Sequence, residues 1–187
     1  MNILILCDRK STDDRINTLS VLQNILVESG HEVNTNILNR EEILPCIGCF
    51  GCWIKTPGVC ALTKDCANSI ASQLVNSDAV ILLSEVTFGG FSADVKAFLD
   101  RLIQNILPLF KMHKGEMHHP KRYDNFPAWL AIGYGDVSDD EKQTFIHLAD
   151  RNALNMRPRH YLSLVTRNCD ELEAKTAEII RVLEVSA

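Results

Sequence analysis

The sequence predicts an α/β fold: a doubly wound, five-stranded parallel sheet between two layers of helices. Three observations lead there. Five short apolar runs of strand length, rich in Ile, Leu and Val, punctuate the chain. Segments with helical periodicity fill the gaps between them. Strand and helix therefore alternate, which joins the strands by crossovers, makes the sheet parallel and covers both its faces.

The elements follow in order. The first run, Ile3 to Cys7, is continuously apolar, as a central strand is. Ile16, Leu19, Leu22 and Leu26 then recur at helical spacing, and Gly30 stands where that helix stops. The second run, Val33 to Leu38, alternates Val33, Thr35 and Ile37 with polar residues, the pattern of an edge strand half open to water. A long loop from Arg40 to Thr63 follows, then a weaker helix over Lys64 to Asn76. The third run, Ala79 to Leu83, is again continuously apolar. Val95, Phe98, Leu99, Leu102, Ile103 and Ile106 form a long helical stripe. A polar loop extension over 111–126 separates it from the fourth run, Ala128 to Ile132. Phe145, Leu148 and Ala149 mark the next helix, Tyr161 to Val165 the fifth strand, and Leu172, Thr176, Ile179, Ile180 and Leu183 the last helix. An edge-type second strand beside central first and third strands gives the order 2-1-3-4-5, the flavodoxin-like, three-layer α/β/α arrangement. In such sheets ligands bind beyond the carboxyl ends of the strands, where the strand order reverses.

The 187 residues fit one domain, 1–187, large enough to bury a core without disulfides. A net charge of -5 and the lack of any Lys/Arg run longer than a pair such as Lys121-Arg122 argue against nucleic-acid binding. The opening "MNILILCDRK" has too short an apolar run for a signal peptide, and no segment reaches the roughly 18 apolar residues of a spanning helix. The expected location is the cytoplasm, with no membrane partner. There, clustered thiols point to metal or redox chemistry rather than structural disulfides.

Three strand-end loops carry candidate ligands. In "CDRKSTDDRINTL", Ser11, Thr12, Asn17 and Thr18 offer hydroxyl and amide donors, and Arg9, Lys10 and Arg15 offer positive charge. A helix begins directly after, so its free N–H groups form an anion site suited to phosphate. The alternative is that Asp13 or Asp14 simply caps that helix. In "SEVTFGGFSADVKAFLDR", Gly89 and Gly90 let backbone approach a flat ligand, and Phe88 and Phe91 can cover an aromatic ring. In "AIGYGDVSDDE", Gly133 and Gly135 flank Tyr134 after the fourth strand.

The segment from Ser84 to Arg101 resembles the signature S-P-V-Y-W-G-G-x-S-x-x-L-K-x-F-x-D-R of the NADPH-dependent FMN reductase group within the flavodoxin-like superfamily. The resemblance implies that Ser84, Val86, Thr87, Phe88, Gly89 and Gly90 line the ring and ribityl side of FMN, and that the loop with Gly133, Tyr134 and Gly135 borders the ring. The chain departs from the pattern at Cys7-Asp8, where that group has a glycine-led pair, at Glu85 in place of proline and at Thr87 in place of an aromatic.

The stretch "PCIGCFGCWIKTPGVC" holds Cys46, Cys49, Cys52 and Cys60, four of seven cysteines, in a cysteine-rich loop spanning 45–66. C-x2-C-x2-C matches the run that wraps a cubane cluster, and a fourth thiolate completes a [4Fe-4S] site. Gly48 and Gly51 let the loop turn tightly, and Cys66 competes with Cys60 for the fourth place. The stretch also resembles the compact motif of iron–sulfur flavoproteins, in which a cluster exchanges electrons with FMN. Two alternatives stay open: a cluster-free loop flanking the flavin, as in plain FMN reductases with a similar C-x-G-C-x-x-C-W segment, and a zinc site, whose ligand pairs are usually spaced further apart. His113, Glu116, His118 and His119 form a weaker metal candidate.

The resemblance thus implies an FMN-dependent oxidoreductase that takes hydride from NAD(P)H and passes electrons to a small-molecule or protein acceptor, with no catalytic side chain of its own. An electron carrier with a [4Fe-4S] cluster and a non-redox interaction domain are the alternatives. The apolar excess of the stripe after Val95, including Leu107, Leu109 and Phe110, predicts a homodimer or homotetramer.

Overall fold

The computed structural model describes residues 1–9 and 13–185, without the side chains of 13–16. Five parallel strands form the sheet: β1 (Asn2–Asp8), β2 (Glu32–Leu38), β3 (Ala79–Thr87), β7 (Ala128–Tyr134) and β8 (Tyr161–Thr166), in the order β2-β1-β3-β7-β8. This is the expected 2-1-3-4-5 order. A two-residue strand, β4 (Gly90–Phe91), folds back antiparallel on β3, pairing Thr87 with Gly90 and Val86 with Phe91.

Period-two alternation sends side chains to two cores. Leu4, Leu6, Val80, Leu82, Trp129 and Ala131 face one helix layer: α3 (Ala67–Val75), α4 (Ala93–Leu99) and α5 (Asp139–Met156). Ile3, Ile5, Ile81, Leu83, Leu130 and Ile132 face the other: α1 (Asp13–Glu28), α6 (Cys169–Ala174) and α7 (Thr176–Glu184). The central strands β1 and β3 are buried along most of their length, whereas three of the seven residues of β2 are exposed, as suits an edge strand.

Several elements differ from expectation. The long stripe after Val95 is α4 only to Leu99, and the chain then tightens into a 3-10 segment, Asp100–Asn105. Arg101, Leu102, Gln104 and Asn105 are all buried in that segment, more positions than one face of an α-helix can turn inward. The last helix is broken between Ala174 and Thr176. The loop extension holds a hairpin, β5 (Lys111–His113) and β6 (Glu116–His118), whose turn residues Lys114 and Gly115 have φ of 49° and 81°. A single turn, α2 (Gly51–Ile54), forms inside the cysteine loop.

Candidate functional site

The sheet order reverses between β1 and β3, and a cavity of about 370 Å³ opens at their carboxyl ends. Asp8, Arg9, Arg40, Glu85, Thr87, Ser92, Ala93 and Asp94 line it. These residues arrive from the end of β1, the loop after β2, the β3–β4 turn and the start of α4.

Several carboxylates in this region would repel a phosphate, but three of them, Asp8, Asp94 and Glu41, are already held. Asp8 is fully buried; its Oδ1 accepts the Tyr134 hydroxyl at 2.6 Å and its Oδ2 the Glu85 N–H at 2.7 Å. Asp94 accepts the N–H groups of Arg9 at 3.2 Å and Arg40 at 2.9 Å, clipping two strand-end loops to the first turn of α4. Glu41 pairs with the Arg9 guanidinium at 2.9 Å, a bond that raises the arginine pKa and lowers that of the carboxyl. The Arg40 side chain completes the cationic side of the cavity.

The β3–β4 turn presents Phe88. Phe88 and Gly89 both have positive φ, 49° and 72°, as a tight two-residue hairpin turn needs. Glycine is required at 89 for a second reason: an added Cβ would lie 2.8 Å from Thr144 on α5. The turn is thus seated on a helix while the Phe88 ring is 93% exposed, free to cover a flat ligand. A flat, phosphorylated group such as FMN fits this donor set.

The remaining expected ligands divide. Thr87 is exposed and lines the cavity, and Gly90 is half-buried beside it. Ser84 and Val86 are buried. The Ser84 hydroxyl accepts the Ser92 N–H at 2.8 Å and donates to the Glu85 carbonyl at 2.9 Å, closing the hairpin. Phe91 is buried against Phe145, with ring centroids 4.9 Å apart, so only Phe88 remains to cover a ring. Gly133 and Tyr134 lie inside β7 rather than after it. Gly133 is enclosed by Val86, Phe145 and Val165, which an added Cβ would meet at 2.7–3.0 Å, so core packing demands glycine there. Gly135 follows the strand in the expected turn, at φ 129°. Asn17 is exposed and Thr18 buried on α1. The expected phosphate contacts of Ser11 and the Arg15 side chain lie outside the described residues. Arg40 and Asp94 were not expected at the site; Asp94 sits in the quoted signature, three residues after Phe91, at a position that signature leaves free.

Cys46, Cys49, Cys52 and Cys60 all line one cleft, with Ile47, Phe50, Leu62, Arg101 and Ile103. All four are free thiols; Cys52 and Cys60 are buried, Cys46 and Cys49 exposed. Burial pushes the Cys52 pKa up, and the sulfurs of Cys60, Cys46 and Cys49 push the same way. The Cys60 backbone is fixed, its N–H donating to Gln104 Oε1 at 2.9 Å and Asn68 Oδ1 at 3.1 Å. Cys66 is exposed and outside the cleft lining. The enclosed space is about 20 Å³, and among the described residues no three Cys, His, Asp or Glu side chains are grouped to hold a single metal ion. The donor set, four thiols with no carboxylate, suits iron bound as a cluster better than a hard cation.

The cleft and the cavity share no lining residue. Asp94 belongs to one and Arg101 to the other, seven residues apart, or roughly 10 Å at helical rise. The histidine candidate is engaged otherwise: His118 binds Asn155 and Glu116, both at 2.9 Å, and His119 Nδ1 lies 2.9 Å from the carbonyls of Leu107 and Leu109.

No protein-family model matches the chain. An iron-sulfur flavoprotein of Methanocaldococcus jannaschii is 38% identical over 78 residues, 42% of this chain and 39% of that protein. The match therefore spans about two fifths of the relative's length. Among solved structures, the NAD(P)H:quinone oxidoreductase from Methanothermobacter marburgensis superposes with a TM-score of 0.68 at 11% identity, over 100% of this chain and 95% of the other. A flavodoxin of Streptococcus pneumoniae gives 0.61 at 12%, over 100% of both chains. The class is thus defined by the fold: flavodoxin-like, with the strand order and layers shared by flavodoxins and flavodoxin-like reductases. No helix among the described residues is long and apolar enough to cross a membrane.

Proposed function

We propose that this chain is a flavin-dependent oxidoreductase that binds FMN at the β1/β3 edge and a [4Fe-4S] cluster on Cys46, Cys49, Cys52 and Cys60. The observation that carries this reading is the gathering of all four cysteines along one cleft, beside the 3-10 segment that continues the helix whose first turn lines the switch-point cavity. The partial likeness to an iron-sulfur flavoprotein supports it. Bound FMN supplies one- and two-electron chemistry and a cluster supplies one-electron transfer.

The chain's own residues bind and orient. Arg9 and Arg40 offer charge to a phosphate, Phe88 covers one face of a ring, and Asp8 and Asp94 fix the loops around it. Ile47, Phe50 and Ile103 give the thiol cleft an apolar wall. No side chain acts as a nucleophile or as an acid–base pair. The acceptor is a small molecule or a redox protein, and the assembly is a homodimer or homotetramer.

A second reading is a cluster-free NAD(P)H-dependent FMN reductase, favoured by the fold likeness to an NAD(P)H:quinone oxidoreductase. Anaerobic purification separates the two. The first reading expects a flavin spectrum and about four irons and four sulfides per chain. It also expects Cys49→Ala to lose the iron and keep the flavin. Iron-free protein whose flavin bleaches promptly on mixing with NADPH favours the second, and protein that binds no FMN overturns both.

A further inference from the structure

Among the described residues, the thiol cleft has one charged lining residue, Arg101. Its side chain is fully buried. Nη1 donates to Asp65 Oδ2 and to the Leu44 carbonyl, both at 2.6 Å, and Nη2 donates to the Leu62 carbonyl at 3.0 Å. Leu44 precedes the first cysteine of the motif and Leu62 follows the last, so one guanidinium ties both ends of the loop to the 3-10 segment. The ion pair with Asp65 offsets the cost of burying the charge.

One donor is left over. Arg101 Nε is buried and has no hydrogen-bond partner. A buried N–H without an acceptor gives up its hydration for nothing, so such groups call for an explanation. Loop clamping does not supply one, because the two Nη groups already do the clamping. The anion-forming group beside it in the cleft is Cys60, whose sulfur acts on the guanidinium both by charge and as a side-chain hydrogen-bond acceptor, although the Nε–H does not reach good hydrogen-bond geometry with it. The Cys60 backbone is held from three directions, by Gln104 and by both ends of the Asn68 amide, so its sulfur has little room to drift.

We propose that Arg101 is a positioning residue for the cysteine-ligated group: its free Nε–H donates to the Cys60 sulfur when that sulfur is a metal-bound thiolate, and so sets the group's reduction potential. The proposal rests on the cluster reading above. A thiolate bound to iron is a better acceptor than a neutral thiol, and hydrogen bonds to cluster sulfurs, together with net charge and burial, fix the potential. The donor favours the reduced, more negative state. Removing it moves the potential to more negative values.

The test is the cluster's midpoint potential, followed optically or by electron paramagnetic resonance in anaerobically reconstituted protein. Arg101→Gln alone would leave Asp65 buried without its partner, so it is paired with Asp65→Asn; Arg101→Lys retains the charge without the planar fork. The expected result is a negative shift in the double variant, with the lysine variant between it and wild type. A clamp with no electrostatic role would lower stability and iron loading but leave the potential of the loaded fraction unchanged, and that result overturns the proposal. If the double variant does not fold, the lysine variant decides: a shifted potential supports the assignment and an unchanged one overturns it. Wild-type protein that takes up no iron on reconstitution overturns the cluster reading and this assignment together, a failure recognisable from the iron content alone.

Discussion

At the scale of single residues, the informative ones are acids that looked misplaced. Asp8 stands where the resembling group has a small residue, and it is used inward: a buried carboxylate that joins β7, through Tyr134, to the end of β3. Asp94 occupies backbone N–H groups of two loops that would otherwise need a bound anion or water. Neither role was legible in the sequence, since both partners of each contact lie far away along the chain. The exposed position of Phe88 was legible, because an aromatic directly before Gly89-Gly90 falls on the turn that the glycines mark. Its exposure makes it separable from the fold. Phe88→Ala is expected to leave the unfolding midpoint unchanged and to weaken FMN binding by about 2- to 12-fold, the worth of one ring contact at about 0.5–1.5 kcal/mol. Equal FMN titrations of variant and wild type would remove Phe88 from the site.

Among the elements, strands were read well and the middle helix was not. Apolar runs bounded by polar residues mark parallel strands plainly, and all five are found where those runs lie. The stripe after Val95 keeps helical spacing in its apolar residues, but the side chain that governs its second half is Arg101, whose partners Leu44, Leu62 and Asp65 are remote in sequence. The β5–β6 hairpin was hidden for a similar reason: its polar sequence is stabilised by docking on α5. Glu116 forms two bonds to Arg151, at 2.6 and 3.0 Å, and one to His118. The arginine chiefly, and the histidine next, lower the Glu116 pKa from 4.5 to about 2. A depressed carboxyl contributes stability that is full above its unfolded value and is lost as pH falls through the folded one. Hairpin docking should therefore weaken between pH 4.5 and about 2. The protection of amides across Lys111–His118, taken relative to their intrinsic exchange at each pH, should fall over that window, and Glu116→Gln should abolish the dependence. Protection that is flat with pH in wild type would show that the hairpin is held by its apolar contacts instead.

For the whole molecule, the apolar surplus lies only partly where the sequence suggested. Phe98 and Leu102 are buried by the chain's own core, whereas Leu109 and Phe110 are exposed as expected. The rest of the surplus is on the cysteine loop and the hairpin that follows Phe110: Ile47, Phe50, Ile54, Met112 and Met117, with Leu109 and Phe110, are each between 47% and 76% exposed. A ladder of rings joins the two, from Phe50 through Trp53 and His119 to Phe110, with centroids 4.8–5.2 Å apart. Apolar surface on this scale favours association, and a second copy is the commonest partner. Light scattering is expected to return at least twice the 21.0 kDa chain mass, and Phe110→Asp to shift it toward the monomer. A wild-type mass of 21.0 kDa at micromolar concentration would count against assembly.

Trp53 gives this arrangement an optical consequence. The chain has two tryptophans. Trp129 is sealed in the core, whereas Trp53 sits within the cysteine loop, stacked on Phe50 and anchored by its indole N–H to the Ile103 carbonyl at 2.9 Å. The two fluorophores therefore report on different places. A chromophore entering the thiol cleft quenches the Trp53 emission first, while Trp129 serves as an internal reference whose blue-shifted band tracks the integrity of the fold. Loading and unloading of the loop can thus be followed in real time, without a label, in the protein as it stands.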